Sequence, residues 1–333
     1  TELIIKDNKN YIKSSSRIII GTSAILYREE ISKLNIKTLI VDEQHKFGVK
    51  QREMILDMFN YTIPNYVNLS ATPIPRSVAQ ILFGDVDVHY LHEKPEGRKP
   101  IKTLIYYKNN EEKLLNWLEQ KASDQSQIFW VCSLVEDKKD EYINVYENSQ
   151  NERSSVKQRY KKILKTTKIP TGILYGNMKD TEKISIIDKF KKGELKMLVT
   201  SSVIEIGIDI KEADIIIIED PENFGLSQLH QMRGRVGRNN KDENWCILLI
   251  NEDAKNNSKV INRLKFFVEN NDGIKIAEYD MLNRGPGEIY GLRQSGLPNF
   301  KVASLQDYFN NQQLIESKAK EFFYKGIHEI PFF

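Results

Sequence analysis

The stretch "TLIVDEQHKFGVKQR", residues 38–52, decides the fold class of this chain. Its first four residues favour β-structure and run straight into Asp42 and Glu43, which is typical of a buried parallel strand with two carboxylates at its C-terminal end. Parallel α/β sheets bind their ligands at that end. An Asp that holds Mg²⁺ through water and a Glu that polarises an attacking water suit phosphate chemistry. The pair therefore predicts a nucleotide site, although a lone Asp-Glu at a strand end is also common in α/β proteins.

Apolar runs of this kind recur along the chain and alternate with amphipathic segments. Helices are predicted at 110–122 and 181–193, where apolar residues recur at three-to-four spacing. The polar segment 145–168 is expected to be a surface loop that feeds an amphipathic helix. This alternation predicts an α/β fold with parallel sheets. Strands are predicted at 17–22, 38–43, 67–72, 102–107, 128–133, 172–176, 196–201, 215–220 and 246–250.

Two segments rich in Gly and Pro interrupt the alternation. The segment "HEKPEGRKP", residues 92–100, is mostly charged and predicts an interdomain linker. Beyond about residue 262 the strands stop, and "RGPGEIYGLRQSGLPNF", residues 284–300, is a loop between two helical stretches.

The composition is that of a globular, soluble chain. It has 333 residues, of which 40% are hydrophobic and 29% charged. A run of 18 apolar residues is lacking, which excludes a membrane-spanning class. Cys132 and Cys246 lie in apolar runs without metal-type spacing and are interpreted as buried, reduced thiols of a cytoplasmic protein. The net charge of +3 is too small to indicate nucleic acid by itself.

Hydroxyl-rich segments end two further predicted strands. In "NLSATPIPRS", residues 68–77, Ser70 and Thr72 can hydrogen-bond to the acidic strand end, although a turn made rigid by proline fits equally well. In "TSSVIEIGIDI", residues 200–210, hydroxyl and backbone N–H groups suit phosphate or ribose contacts. A solvent-exposed loop is the alternative there.

The segment "QLHQMRGRVGRNN", residues 228–240, places Arg235 and Arg238 three residues apart. Because this is close to one helical turn, both guanidinium groups can project to the same side. An Arg pair aimed across a cleft can stabilise charge on a transferring phosphoryl group. The alternative is a basic patch that meets acidic side chains or nucleic acid.

A phosphate-binding loop of the pattern G-x-x-x-x-G-K-[ST] is missing from the sequence. The nearest approach runs from Gly291 to Gly296 and is followed by Leu297 in place of Lys.

In their order and spacing, four segments resemble motifs II, III, V and VI of superfamily 2 helicases: "DEQH", "SATPIPR", "TSSVIEIGID" and "QLHQMRGRVGR". Within that superfamily, "DEQHKFGVKQR", "GDVDVHYLHEKPEGRKPIKT" and "RGPGEIYGLRQSGLPNF" are similar to the RecG family of ATP-dependent DNA helicases. "GTSAIL", residues 21–26, then resembles motif Ib, and "WVCSLVED", residues 130–137, lies near motif IV. Tyr175 and Lys211 depart from the usual His and Pro of the family, which affects only the expected shape of local loops.

The resemblance implies RecA-like parallel sheets with a C-terminal helical hairpin that couples lobe movement to DNA. Residues 1–92 would form the C-terminal part of lobe 1, residues 93–100 the linker, residues 101–262 a complete lobe 2, and residues 263–333 the hairpin and a helical region. The phosphate loop and the branch-binding wedge would precede Thr1.

The resemblance also implies a function and its residues. The function would be ATP- and Mg²⁺-dependent remodelling of branched double-stranded DNA by a monomeric motor, with ATP bound between the lobes; the chain alone would be inactive. The implied catalytic residues are Asp42, Glu43, Gln44, His45, Arg235 and Arg238. The residues implied to contact the nucleotide are Asp42, Gly207, Asp209, Gln231, Arg235 and Arg238. Asp42 would also bind Mg²⁺ through water. The residues implied to contact DNA, or to couple lobe movement to DNA, are Gly21, Thr22, Ser70, Thr72, Ser201, Ser202, Arg284 and Gln294.

Two readings from other classes stay open. The missing phosphate loop favours a DNA-binding or interaction module without ATPase activity, whereas the acidic pair and the arginine pair argue against it. A transcription-repair coupling translocase shares the hairpin, but "RQSGLPNF" is more similar to RecG. A DEAD-box RNA helicase is disfavoured because "DEQH" departs from its motif.

Overall fold

The chain, described here by a computed structural model, forms two compact units. One comprises Thr1–Val86 with Met281–Phe333, and the other comprises Asp87–Asp280. The structure describes residues 2–4, 18–43, 54, 65–70, 87, 89–91, 100–133, 145–176, 178–201, 213–237, 243–284, 311, 314–315, 317–319 and 321–322.

Within its described residues, the first unit contains two pairs of parallel strands. Strand β1 (Glu2–Ile4) pairs with β2 (Ile19–Gly21), and β3 (Thr38–Asp42) pairs with β4 (Asn65–Leu69). A short 3-10 helix (Ser23–Tyr27) and helix α1 (Glu29–Ser32) follow β2. Strand β1 was not predicted from the sequence.

The described residues of the second unit form one sheet of six parallel strands. Their order across the sheet is β5-β10-β9-β6-β8-β7. The chain therefore starts at one edge with β5, crosses to β6 near the centre, continues to β7 at the opposite edge and returns through β8, β9 and β10 towards β5. The strands are β5 (Ile101–Tyr107), β6 (Gln127–Val131), β7 (Thr171–Leu174), β8 (Met197–Thr200), β9 (Ala213–Glu219) and β10 (Asn244–Ile250).

Helices cover both faces of this sheet. They are α2 (Glu111–Ser123), α3 (Val145–Thr166), α4 (Asp180–Lys191), α5 (Leu226–Arg233), α6 (Ser258–Glu269) and α7 (Gly273–Arg284). Side chains of α2 and α3 share one apolar cluster, and side chains of α4, α5, α6 and α7 share the other. The two clusters meet successive residues of β9, since Ile215 and Ile217 belong to the first and Ile216 and Ile218 to the second. Burial on both faces explains the uninterrupted apolar sequence of the strand.

Helix α2 shows how the sequence specifies these elements. Leu114, Leu115, Leu118 and Ala122 are buried at helical spacing. Acidic residues occupy its first turn and Lys121 its last turn, which complements the helix dipole.

The predicted α/β class with parallel sheets is confirmed, and the nine predicted strands overlap described strands. The prediction for 145–168 was partly wrong, because α3 is helical from Val145. Its polar first half lacks the apolar spacing that signals a helix, whereas Val156 and Ile163 anchor the second half in the core. Residues 93–99 of the linker and 285–300 of the hairpin lie outside the described residues, and the domain bounds remain predictions.

Both cysteines are buried free thiols, and burial raises their pKa, that of Cys246 to about 12. Among the described helices, none combines the length and the apolar character that a membrane span requires.

Candidate functional site

Asp42 and Glu43 lie at the C-terminal end of strand β3. Asp42 is the exposed last residue of the strand, and Glu43 adopts a positive φ of 52°. This left-handed conformation is unfavourable for a residue with a side chain and is concentrated at functional sites. The Glu43 N–H donates to the carbonyl of Leu69 at 2.8 Å, which holds the backbone of Glu43 at the end of β4.

The same edge carries Ser70, the residue that follows β4. Because Asp42 pairs with Leu69 in register, the acidic pair and Ser70 lie at adjacent strand ends, as predicted for parallel strands. Elsewhere in this unit, Gly21 ends β2 and the Thr22 hydroxyl accepts the N–H of Ala24 at 3.4 Å, which caps the 3-10 helix.

An exposed carboxylate at a strand end fits the way Mg²⁺ is usually held, by one or two carboxylates, waters and substrate phosphates. Asp42 is such a carboxylate. Within the described ranges, no cluster of three His, Cys, Asp or Glu side chains could bind a metal on its own. As an exposed carboxylate at a strand end, Asp42 has the chemistry that this mode of binding uses.

In the second unit, helix α5 carries Gln231 and leads into Arg235, and both side chains are half-buried. The start of the helix is held twice, since the Leu226 N–H donates to Asp280 Oδ2 at 3.1 Å and the Gly225 N–H donates to Gln228 Oε1 at 3.1 Å. The Arg235 N–H continues the turn with a bond to the Met232 carbonyl at 3.0 Å.

Arg233, two residues before Arg235, is structural. It is 3% exposed, and its guanidinium donates to the carbonyls of Phe267 at 3.0 Å and Asn270 at 2.9 Å at the end of α6. The guanidinium also lies 4.1 Å from the ring centre of Phe267. Burial lowers the pKa of Arg233. Arg233 thus joins α5 to the α6–α7 connection.

Ser201 follows β8 at the C-terminal edge of the six-stranded sheet and is fully buried. Its hydroxyl makes no hydrogen bond within the part of the chain that the structure describes. A buried hydroxyl at this edge is suited to a contact with a ligand. Arg284 ends α7, with only its backbone described. Gln44, His45, Thr72, Ser202, Gly207, Asp209, Arg238 and Gln294 lie outside the described residues.

The same edge holds a polar cluster that was not predicted. Lys108, which follows β5, contacts Asp220 at 2.7 Å and Glu219 at 3.2 Å. Asp220 also accepts from Asn251 at 3.1 Å and from the Ser133 hydroxyl at 3.5 Å. Burial opposes the charge on Lys108, but the hydrogen bond and charge of Asp220 and the charge of Glu219 outweigh it and raise the pKa of Lys108. The only sequence signal was that these residues follow strand ends.

Arg159 of α3 completes this cluster from the helix side. It forms two hydrogen bonds with Glu219, a third with Glu111 at 2.5 Å, and its guanidinium lies 4.9 Å from the ring centre of Trp130. The Trp130 indole donates to Glu219 at 3.1 Å. These contacts pin α3 to the ends of β6 and β9, next to the segment that resembles motif IV.

Residues 126–240 match the helicase conserved C-terminal domain family. The chain is 38% identical over 298 residues to the ATP-dependent DNA helicase RecG of Aquifex aeolicus, a match that covers 89% of this chain and 36% of that protein. It is 36% identical over 330 residues to RecG of Thermotoga maritima, covering 97% of this chain and 40% of that protein.

Solved structures with a similar fold include the following two. The first is RecG bound to a three-way DNA junction, with a TM-score of 0.64 and 31% identity; the match covers 95% of this chain and 39% of the RecG chain. S. cerevisiae Dbp5 bound to RNA and ADP BeF3 matches 85% of this chain and 73% of that chain, with a TM-score of 0.54 and 17% identity, and supports the RecA-like fold alone. The chain spans about two fifths of the length of the curated relatives it matches. By sequence and by fold, the chain belongs to the RecG family.

Proposed function

We propose that the chain is part of an ATP-dependent DNA helicase or translocase that remodels branched DNA in recombination and repair. The observation that carries this proposal is the match of 95% of the chain to RecG bound to a three-way DNA junction. The acidic strand end supports it, because Asp42 and Glu43 lie where parallel sheets bind ligands.

In this proposal Asp42 binds Mg²⁺ through water and Glu43 polarises the water that attacks the terminal phosphate of ATP, with Gln44 and His45 beside them. The magnesium ion would neutralise charge on the phosphates. The backbone of Glu43, with its φ of 52° and its hydrogen bond to Leu69, supports the proposal, because a catalytic carboxylate must be held in position.

Arg235 and Arg238 would stabilise the charge that develops during phosphoryl transfer. Gln231, Gly207 and Asp209 would contact the nucleotide. Asp280 and Gln228 accept hydrogen bonds from the N–H groups of Leu226 and Gly225 and so hold the start of α5 in place. This supports a role in nucleotide binding for the segment that follows the helix.

DNA contacts would come mainly through phosphates, so that binding depends on salt and little on sequence. Gly21, Thr22, Ser70, Thr72, Ser201 and Ser202 are the proposed contact residues. Arg284 and Gln294 would couple nucleotide-driven movement to the duplex. The buried Ser201 hydroxyl is an observation that favours a ligand contact at that position.

The 333-residue chain by itself would not turn over ATP, because its sequence contains no phosphate-binding loop of the Walker type. The whole protein would act as a monomer in the cytoplasm. A non-catalytic DNA-binding module is the competing function.

The test is ATP-driven unwinding of a synthetic three-way DNA junction by the full-length protein. We expect Glu43→Gln to abolish unwinding while junction binding persists. Retention of wild-type unwinding by Glu43→Gln would overturn the proposed role of the acidic pair. Junction binding without any ATP hydrolysis by the wild-type protein would favour the non-catalytic module.

A further inference from the structure

The second unit carries an aromatic and basic surface at the opposite end of its sheet from Ser133, Ser201 and Asp220. Trp117 of α2 and Trp245 of β10 meet edge to face, with ring centres 5.5 Å apart. Both are half-buried, whereas Trp130 is completely buried. Two of the three tryptophans of the chain therefore meet at one surface position.

Lysines surround this pair. The Lys102 ammonium lies 4.8 Å from the centre of the Trp245 ring, and the Lys121 ammonium lies 5.9 Å from that of Trp117. Glu243 bridges the two ammonium groups at 3.4 Å and 2.9 Å. Lys113 is exposed one helical turn before Trp117, on the same side of α2. Lys102 and Lys121 thus share one carboxylate, and Lys113 adds a further positive charge on the same side of α2.

The surface continues along the edge strand β5. Lys102 pairs in register with Trp245, and Leu104 with Ile247, so that Leu104 lies on the same face as the tryptophans. Leu104 is 39% exposed although its strand belongs to the main sheet. The side chain of Lys102 is 56% exposed.

We infer that this surface, defined by Trp117, Trp245, Lys102, Lys113, Lys121 and Leu104, binds single-stranded nucleic acid. Indole rings stack on unpaired bases, and lysines next to them attract the phosphates of the same strand. A duplex keeps its bases stacked on each other and cannot use the rings. The inference rests on the proposed function for its biological setting, as an additional contact for single-stranded parts of a branched DNA substrate.

The test is fluorescence anisotropy of a fluorescein-labelled oligothymidine titrated with the 333-residue chain, without ATP, at several salt concentrations. Trp117→Ala should weaken binding at least about fivefold, the low end for loss of one stacked base. Trp117→Phe keeps an aromatic ring and should stay close to wild type. Circular dichroism reports whether each variant is folded.

The lysines provide a variant set that does not disturb the core. Lys102→Ala with Lys113→Ala should lower affinity and reduce the slope of log affinity against log salt by about 1.4, because two phosphate contacts are lost. The matched control is Lys259→Ala with Lys265→Ala, which removes two exposed lysines from α6. The control pair should bind like wild type.

Three results would overturn the inference: no binding of the oligothymidine, equal effects of the test pair and the control pair, or equal competition by polyglutamate and unlabelled oligothymidine. None of these results requires ATP hydrolysis. Loss of oligothymidine binding in the test variants, combined with no ATP turnover by the full-length protein, would instead contradict the proposed function and leave this surface intact.

Discussion

Arg159 Nε donates a hydrogen bond to Glu219 Oε2 at 2.8 Å and thereby ties helix α3 to the end of strand β9. Both side chains are about one-tenth exposed. The same guanidinium also pairs with Glu111 of α2. One arginine thus joins two helices to the C-terminal edge of the sheet.

Replacing Arg159 with Met should destabilise the chain strongly. The substitution removes the positive charge of Arg159 from beside the buried carboxylates of Glu219 and Glu111. Breaking a buried ion pair in this way costs about 3–5 kcal/mol. Urea unfolding measures this loss. Lys162→Met is the control, since Lys162 also pairs with Glu111 but is 52% exposed, and it should cost less than about 1 kcal/mol. Similar losses in both variants would show that the Arg159 contacts contribute no more than a surface pair.

Acid should weaken the same contact. Burial disfavours the charge on Glu219, but the charge and hydrogen bonds of Arg159, with Lys108 and the Trp130 indole, outweigh burial and lower the pKa of Glu219 from its ordinary 4.5. Because the folded-state pKa is depressed, this stabilisation is complete above pH 4.5 and is lost as pH falls through the folded-state value. Glu219→Gln should therefore lose less unfolding free energy than wild type between pH 6 and strongly acidic pH. Parallel curves for the two proteins would contradict this account.

Replacing Arg233 with Met should lower the free energy of unfolding. Arg233→Met removes charged hydrogen bonds to the Phe267 and Asn270 carbonyls, each worth about 1.5–3 kcal/mol. Thermal and urea unfolding should show a large loss, and Arg235→Ala, two residues away and half-buried, should show a much smaller one. A larger loss of unfolding free energy in Arg235→Ala than in Arg233→Met would contradict the structural role of Arg233.

Replacing Gly237 with Ala should lower the free energy of unfolding for two reasons. Its φ is +74°, and an added Cβ would lie 3.3 Å from both Asn244 and Ile101. Gly193 shares a φ of +77°, but its nearest neighbour would be the Lys196 ammonium at 3.5 Å. Gly193→Ala should cost about 1–2 kcal/mol for backbone conformation. Gly237→Ala should cost a further 1–3 kcal/mol, roughly, for crowding, and equal unfolding free energies would exclude that contribution.

Local sequence patterns predicted the parts of the fold that depend on neighbouring residues. The apolar run before Asp42 indicated a strand and its end, and the structure has that strand at Thr38–Asp42. Partners distant in sequence could not be predicted in this way. Arg159 and Glu219 are 60 residues apart, and no local pattern connects a lysine-rich helix to the acid at the end of β9.

The arginine segment shows the same limit within one motif. The sequence "MRGRVGR" offers three arginines, and its spacing favoured Arg235 and Arg238. Which arginine is buried depends on how α5 packs against α6, and the structure places Arg233 there. The Trp117–Trp245 contact joins α2 to β10 and likewise depends on the tertiary fold.

Steady-state ATP turnover by the full-length protein on forked DNA tests the central claim most directly. Arg235→Ala should lower kcat by about 10³–10⁵, the range for an arginine that stabilises phosphoryl transfer, while affinity for the fork at the same salt concentration stays near wild type. Parallel losses of fork binding and turnover, or a kcat equal to that of wild type, would contradict the assignment of this chain to an ATP-driven DNA motor that uses Arg235.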